Sequence, residues 1–145
     1  MIVVDTTVLV YAVGAEHPLR EPCRAVMAAV EAGRLTASTT IEVIQEFCHV
    51  RARRRDRNDA AALARSYADL FSPLLVINHD DLADGLDLFE RVDALGAFDA
   101  VLAAAARRRD AEALVSADSA FASIRAPRHL DPAAPDFTKK LARLG

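Results

Sequence analysis

Only two of the 145 residues are cysteine, Cys23 and Cys48, and they form no CxxC pair. A zinc ribbon and a disulfide scaffold are thereby excluded. No apolar run approaches the roughly 18 residues needed to cross a bilayer. The N-terminal stretch MIVVDTTVLVYAV has no basic leader and meets Asp5 at once, so a signal peptide is not expected. Lysine is confined to Lys139 and Lys140, which leaves the body of the chain without a Schiff-base or P-loop lysine. The segment DTTVLVYA contains no glycine, so the first strand is not followed by a nucleotide-binding turn, and no GxSxG elbow occurs.

What is present points to a globular protein. Hydrophobic residues make up 52% and charged residues 27%, too apolar and too evenly mixed for disorder. The length suits one domain, spanning 1–145, with a single sizeable core. A soluble cytoplasmic protein with no membrane partner is expected. The net charge of -3 argues against a nucleic-acid ligand only if the acidic side chains are free surface charge.

Short β-branched runs alternate with segments of helical period. Ile2 to Val4 reads as a strand buried on both faces. Pro18 opens a helix with Leu19, Cys23, Val26 and Val30 on one face and Gly33 past its end. Leu35 to Ser38 reads as a second strand. A helix from Thr40 to about Arg53 is expected to bury Ile41, Ile44 and Cys48 beside Val43, Phe47 and Val50. Its other stripe is Glu42, Glu46, His49 and Arg53. Asn58 and Asp59 cap the next helix, which turns Leu63, Tyr67, Leu70 and Phe71 inward. LLVIN after Pro73 reads as a third strand, and Asp80 and Asp81 start a helix with Leu82, Leu86, Phe89 and Val92 inward. Gly96 interrupts the pattern before an alanine-rich helix that carries Asp99 in its first turn and ends at Arg107 to Arg109. Ala113 to Ser116 reads as a fourth strand, and an edge strand is expected near His129 and Leu130. This alternation predicts an α/β fold: a three-layer α/β/α sandwich on a mostly parallel four- to five-stranded sheet.

In such sheets the ligand site lies beyond the carboxyl ends of the strands. Asp5 ends the first strand and Asp118 follows the fourth, so the two are expected to converge, with Asp99 and Glu46 on neighbouring helices. Other aspartate-after-strand enzymes fit poorly. A haloacid-dehalogenase-type phosphatase needs a second aspartate where Thr7 stands, and a receiver domain needs an early acidic pair and a late lysine. Four gathered carboxylates repel one another unless cations lie among them. Hard oxygen donors of this kind suit Mg²⁺ or Mn²⁺, ions that activate water and polarise a phosphodiester.

VVDTTVLVYA, TIEVIQEF, FDAVLAAAA and LVSADSAF together resemble, in order and spacing, the four acidic blocks of the PIN-domain nucleases. The match runs from Ile2 to about Phe121, and the tail RHLDP is similar too. Within that family the size and motifs look like VapC-type toxins of bacterial toxin–antitoxin pairs. The resemblance implies a metal-dependent endoribonuclease with Asp5, Glu46 and Asp99 as metal ligands and Asp118 completing the pocket. Thr6 or Thr7 is then expected to hydrogen-bond the site, and Ser116 matches the hydroxyl residue two before the fourth acid. The pattern departs at Ala120, where many relatives carry another acid, which weakens the case for a second fully protein-bound metal. The resemblance also implies an RNA substrate, a cognate antitoxin and a homodimer; the helices between Pro18 and Phe71 are the suspected interface. A catalytically silent PIN-like binding module is the alternative.

Each candidate has an ordinary explanation beside the functional one. Asp5 suits a helix cap, Asp99 a helix dipole and Asp118 an Asx-turn. Glu46 lies on a solvated stripe where Glu42, one turn earlier, is its rival for the site. His49 is expected on a surface or an interface, and both cysteines in the core. The arginine blocks, Arg51 to Arg57 and Arg107 to Arg109, suit either phosphate recognition or solvated helix ends. Removing the four candidate acids from the total of -3 leaves the rest of the chain at +1, so mild acidity does not exclude RNA.

Overall fold

β1 (Ile2–Val4) is three apolar, β-branched residues without solvent exposure, and it occupies the middle of the sheet. In the computed structural model, which describes residues 1–144, four strands lie in the order β2-β1-β3-β4, all parallel. β2 is Ala37–Ser38, β3 is Ala113–Val115 and β4 is Arg128–Leu130. The register places Val4 opposite Val115 and Val115 opposite Leu130, so the three longer strands end level. β4 is the edge strand expected around His129 and Leu130. The proposed domain limit at Gly145 lies outside the described residues.

The helices are α1 (Thr6–Ala12), α2 (Arg20–Glu31), α3 (Ile41–Arg54), α4 (Arg57–Leu70), α5 (His79–Arg91), α6 (Ala97–Arg108) and α7 (Phe137–Leu141). They pack as two groups, α1 to α4 with α7, and α5 with α6. This is the arrangement of an α/β sheet with helices on its faces. Several ends are set by identifiable caps. Thr40 accepts from the Val43 N–H, Asp56 from Asp59, and Asn78 forms a reciprocal capping box with Asp81. Thus α4 is capped by Asp56 rather than by Asn58 or Asp59, and α2 starts at Arg20, two residues after Pro18. Gly33 follows α2 at φ +65, the left-handed turn that ends a helix at low cost. The Arg34 N–H then bonds back to the Ala29 carbonyl at 2.9 Å.

LLVIN does not form a strand. Leu75 makes a single parallel bridge to Thr40, and the chain then leaves the sheet. The reason is competition for backbone groups: the Val76 carbonyl accepts from Arg109, and Asn78 is committed to capping α5.

The face of α5 also differs from its apolar pattern. Leu82, Leu86 and Phe89 are 45, 45 and 44% exposed, whereas Asp81 and Gly85 are buried. α5 approaches α6 at Gly85, where an added Cβ would stand 2.6 Å from Val101 Cγ2 and 2.7 Å from Val101 Cα. This close crossing turns the apolar stripe out of the core. Ile41 is likewise exposed, because it begins α3 at the rim, and Cys48 is only partly buried. Gly85→Ala is therefore expected to destabilise the fold by about 2 kcal/mol despite its better helix propensity. The shift in urea midpoint reads this directly; an unchanged or higher midpoint would contradict the close crossing.

Candidate active site

Asp5 stands where β1 ends and α1 begins, and it is 4% exposed. Its Oδ2 accepts the Thr7 N–H at 3.2 Å, the Thr7 hydroxyl at 2.7 Å and the Ser116 hydroxyl at 2.7 Å. Oδ1 receives no hydrogen bond among the described residues, and Asp5 is one of the residues that line a groove. The helix-cap explanation of Asp5 is thus true for one oxygen and leaves the other free. Ser116 follows β3 and is fully buried; its hydroxyl accepts the Asp118 N–H at 2.9 Å while donating to Asp5. The Thr7 hydroxyl accepts the Ala117 N–H at 2.9 Å, so β1 and β3 are tied together at the site by side chains as well as by the sheet.

Glu46 sits in the middle of α3 and accepts the Thr6 hydroxyl at 2.5 Å. Thr6 and Thr7 therefore divide the work: one holds Glu46 and the other holds Asp5. Glu42 lines the same groove one turn earlier but is not among the charges acting on Asp99, whereas Glu46 is. Asp118 caps the short 3-10 turn Ser119–Ser123 through Oδ1, which accepts the Ala120 N–H at 2.8 Å. Position 120 contributes only this N–H, as its alanine side chain requires. His129 Nε2 bonds the Ser116 carbonyl at 2.8 Å and supports the site from β4. Hydroxyl residues on α1 and β3 were expected here; His129 was visible in the sequence only as part of an edge strand.

None of the four acids forms an ion pair among the described residues. Burial pushes the Asp99 carboxyl up to about 6, and the charges of Asp5, Asp118 and Glu46 push in the same direction. A backbone hydrogen bond from Gly96 opposes them. Asp99 thus lines the groove beside Asp5 and Glu46 and senses the charge of Asp118 as well. Among the described residues no three His, Cys, Asp or Glu side chains are drawn close enough to clasp an ion by themselves. The donor set nonetheless fits a hard divalent cation: oxygen ligands only, an uncommitted Asp5 oxygen, and negative charge with no basic neighbour to offset it.

A carboxylate with a raised folded-state value costs stability as pH climbs from 3.8 to about 6. In metal-free protein, Asp99→Asn is expected to recover about 1 kcal/mol at pH 7, allowing for solvent screening of this half-buried group. Thermal melting should show the gain at pH 7 and lose it near pH 4. Equal melting of both proteins at pH 7 would contradict the coupled pocket.

Beside the acids runs a groove of about 300 Å³ walled by Val43, Ile77, Leu82, Leu86, Phe98 and Leu102. Phe98 is 80% exposed. The arginine blocks behave differently from each other. Arg107 and Arg108 pair with Asp84, Arg108 also with Asp80, and Arg109 is held by Asp81. That second block is neutralised by α5 and is not a free phosphate-binding surface. Cys23 is buried, and its thiol is pushed up to about 12 by that burial, so it is a core residue.

A model of the PIN domain matches residues 2–127. Ribonuclease VapC7 of Mycobacterium tuberculosis is 56% identical over 145 residues, covering 97% of this chain and 98% of its own length. VapC ribonuclease Mb1869c of Mycobacterium bovis is 31% identical over 125 residues, 85% of this chain and 94% of that protein. Ribonuclease VapC23 of Mycobacterium tuberculosis is 32% identical over 126 residues, 85% of this chain and 97% of its own length.

Proposed function

Because the chain belongs to the PIN-domain family, we propose that it is a divalent-metal-dependent endoribonuclease, the toxin of a bacterial toxin–antitoxin pair. The observation that carries the chemistry is Asp5, whose one oxygen is saturated by hydroxyls and whose other oxygen is uncommitted beside three more acids. Asp5, Glu46, Asp99 and Asp118 would hold Mg²⁺ or Mn²⁺. Such an ion, when bound, supplies an activated water and neutralises charge on the phosphodiester.

The chain's own residues prepare that step. Thr7 and Ser116 hold Asp5 by Oδ2 and so fix where Oδ1 lies. Thr6 restrains the Glu46 side chain, which is otherwise exposed and mobile on its helix. Asp118 is held by its own turn, close enough for its charge to act on Asp99. Seating the scissile phosphate among the acids needs their charge neutralised, because phosphate and carboxylate repel.

The apolar groove beside the acids supports a protein partner as well as RNA. Exposed Leu82, Leu86, Phe89 and Phe98 form the kind of apolar surface that partners cover, and a cognate antitoxin is the partner proposed. A homodimer completes the reading. The large exposed apolar side chains lie on α5 and α6, with Ile41 of α3 and Val76 before α5, more than on the stretch from Pro18 to Phe71. No described helix is long and apolar enough to cross a membrane; the cytoplasm is the proposed compartment.

The test is cleavage of cellular RNA by the purified protein with Mg²⁺ or Mn²⁺, followed by sequencing of new 5′ ends. Chelation by excess EDTA should abolish cleavage, and added metal should restore it. Cleavage that persists in EDTA would overturn the metal-dependent mechanism. RNA or protein binding with no cleavage in either metal would favour a silent binding module.

A further inference from the structure

We propose that the cleft between the C-terminal ends of α1 and α3 is a second phosphodiester subsite for single-stranded RNA, away from the acids; this rests on the ribonuclease reading. The cleft is about 210 Å³, with Val10, Val13 and Val50 among its walls and Arg51, Arg54 and Arg55 beside them. No acidic residue lines it. That volume is below the ~300 Å³ at which small-molecule sites begin, which leaves a phosphate and its ribose as the fitting occupant rather than a cofactor.

Basic residues at a helix C-terminus often do no more than offset the dipole. Arg51 instead satisfies α1 and α4. Its Nη1 donates to the Val13 carbonyl at the end of α1 at 3.1 Å, and its Nε pairs with Asp59 at 2.5 Å. Arg54 and Arg55 are exposed and make no ion pair among the described residues. Two guanidinium groups therefore remain uncommitted beside a cavity, the condition for bidentate phosphate recognition. The block at Arg107 to Arg109 has the same composition and lacks this condition, because α5 neutralises it.

The placement suits a bound strand. α1 and α3 both lead from the acids to the cleft: Thr6 meets Glu46 at one end and Val13 meets Arg51 at the other. From Glu46 to Arg54 is eight residues, about 12 Å at the helical rise. A strand with its scissile phosphate at the acids reaches the cleft within a few nucleotides.

The experiment measures binding of a dye-labelled single-stranded oligoribonucleotide by anisotropy in EDTA, across a salt series, with kcat and KM for metal-supported cleavage beside it. The variants are R54A/R55A and, as a control on the same helix junction, R53A/R57A. R54A/R55A is expected to weaken binding about tenfold and to reduce the slope of log K against log salt by about 0.7 for each phosphate that is no longer neutralised. KM should rise while kcat and the melting temperature hold, and R53A/R57A should change little. Equal losses in both double variants would overturn the subsite in favour of diffuse charge. Unchanged RNA binding, or a changed oligomeric state in sedimentation, would overturn it as well, the latter by making the cleft a protein contact. Should the wild-type protein fail to cleave RNA, the ribonuclease reading fails by itself, and the anisotropy arm still decides the subsite.

Discussion

RNA cleavage by the Asp5→Asn protein is expected to fall about 10³-fold or more in kcat/KM, roughly 4 kcal/mol of transition-state stabilisation. Asparagine keeps the size of the side chain and one acceptor oxygen for the Thr7 and Ser116 hydroxyls. It loses the negative charge on the oxygen left free for a cation. Stability should move the other way. Removing one of four mutually repelling carboxylates relieves Asp99, so the metal-free variant should melt no lower than wild type at neutral pH. This opposition between activity and stability separates a catalytic role from a structural one. Cleavage within tenfold of wild type, or a large drop in melting temperature, would refute the assignment of Asp5.

Asp81→Ala is expected to have the opposite profile, with the largest loss of stability among the single substitutions considered. Asp81 is inaccessible to solvent and accepts both terminal nitrogens of Arg109 at 2.9 Å, together with the Asn78 N–H at 3.0 Å. Arg109 also donates to the Ala105 and Val76 carbonyls. One ion pair thus holds α5, α6 and the segment before α5 together. Alanine leaves the guanidinium without its counter-charge and opens the capping box, at a cost of about 3 kcal/mol. For a chain of this length that corresponds to a melting temperature roughly 10 °C lower.

The pH dependence separates this acid from Asp99. The Arg109 hydrogen bond holds the Asp81 carboxyl below its ordinary value. Its contribution is present through the neutral range and is lost only in acid, as pH falls through the depressed value. Asp99 acts in the other direction, costing stability as pH rises toward neutrality. A double-mutant cycle with Arg109→Met measures the Asp81–Arg109 coupling; a coupling energy near zero would contradict the ion pair.

The order of acids along the chain was legible in the sequence because each marks the end of a short apolar strand or the body of the helix beside it. Asp5 and Asp118 follow β1 and β3, and the parallel sheet brings such positions to one edge. The buried strands and the inward faces of α2 and α4 were legible for the same reason, since their apolar period matches their burial. What escaped was decided by partners far along the chain. LLVIN has strand composition, but Arg109 takes its Val76 carbonyl from thirty-three residues away. The apolar stripe of α5 is regular, yet a glycine against Val101 and a buried aspartate choose the opposite face. The two arginine runs look alike in sequence, and only the acids on α5 distinguish the neutralised run from the one beside the cleft.

The bond from Ser116 to Asp5 joins groups synthesised 111 residues apart. Asp5 is synthesised first and is held only by its neighbour Thr7; its set of donors is incomplete until β3 pairs with β1 and brings Ser116 to it. Contacts of such long range form late and slowly in folding. An incomplete chain ending before β3 carries Asp5, Glu46 and Asp99 without the strand that aligns them. The assembled acid pocket is therefore absent from the nascent chain until β3, Ser116 and Asp118 have been synthesised.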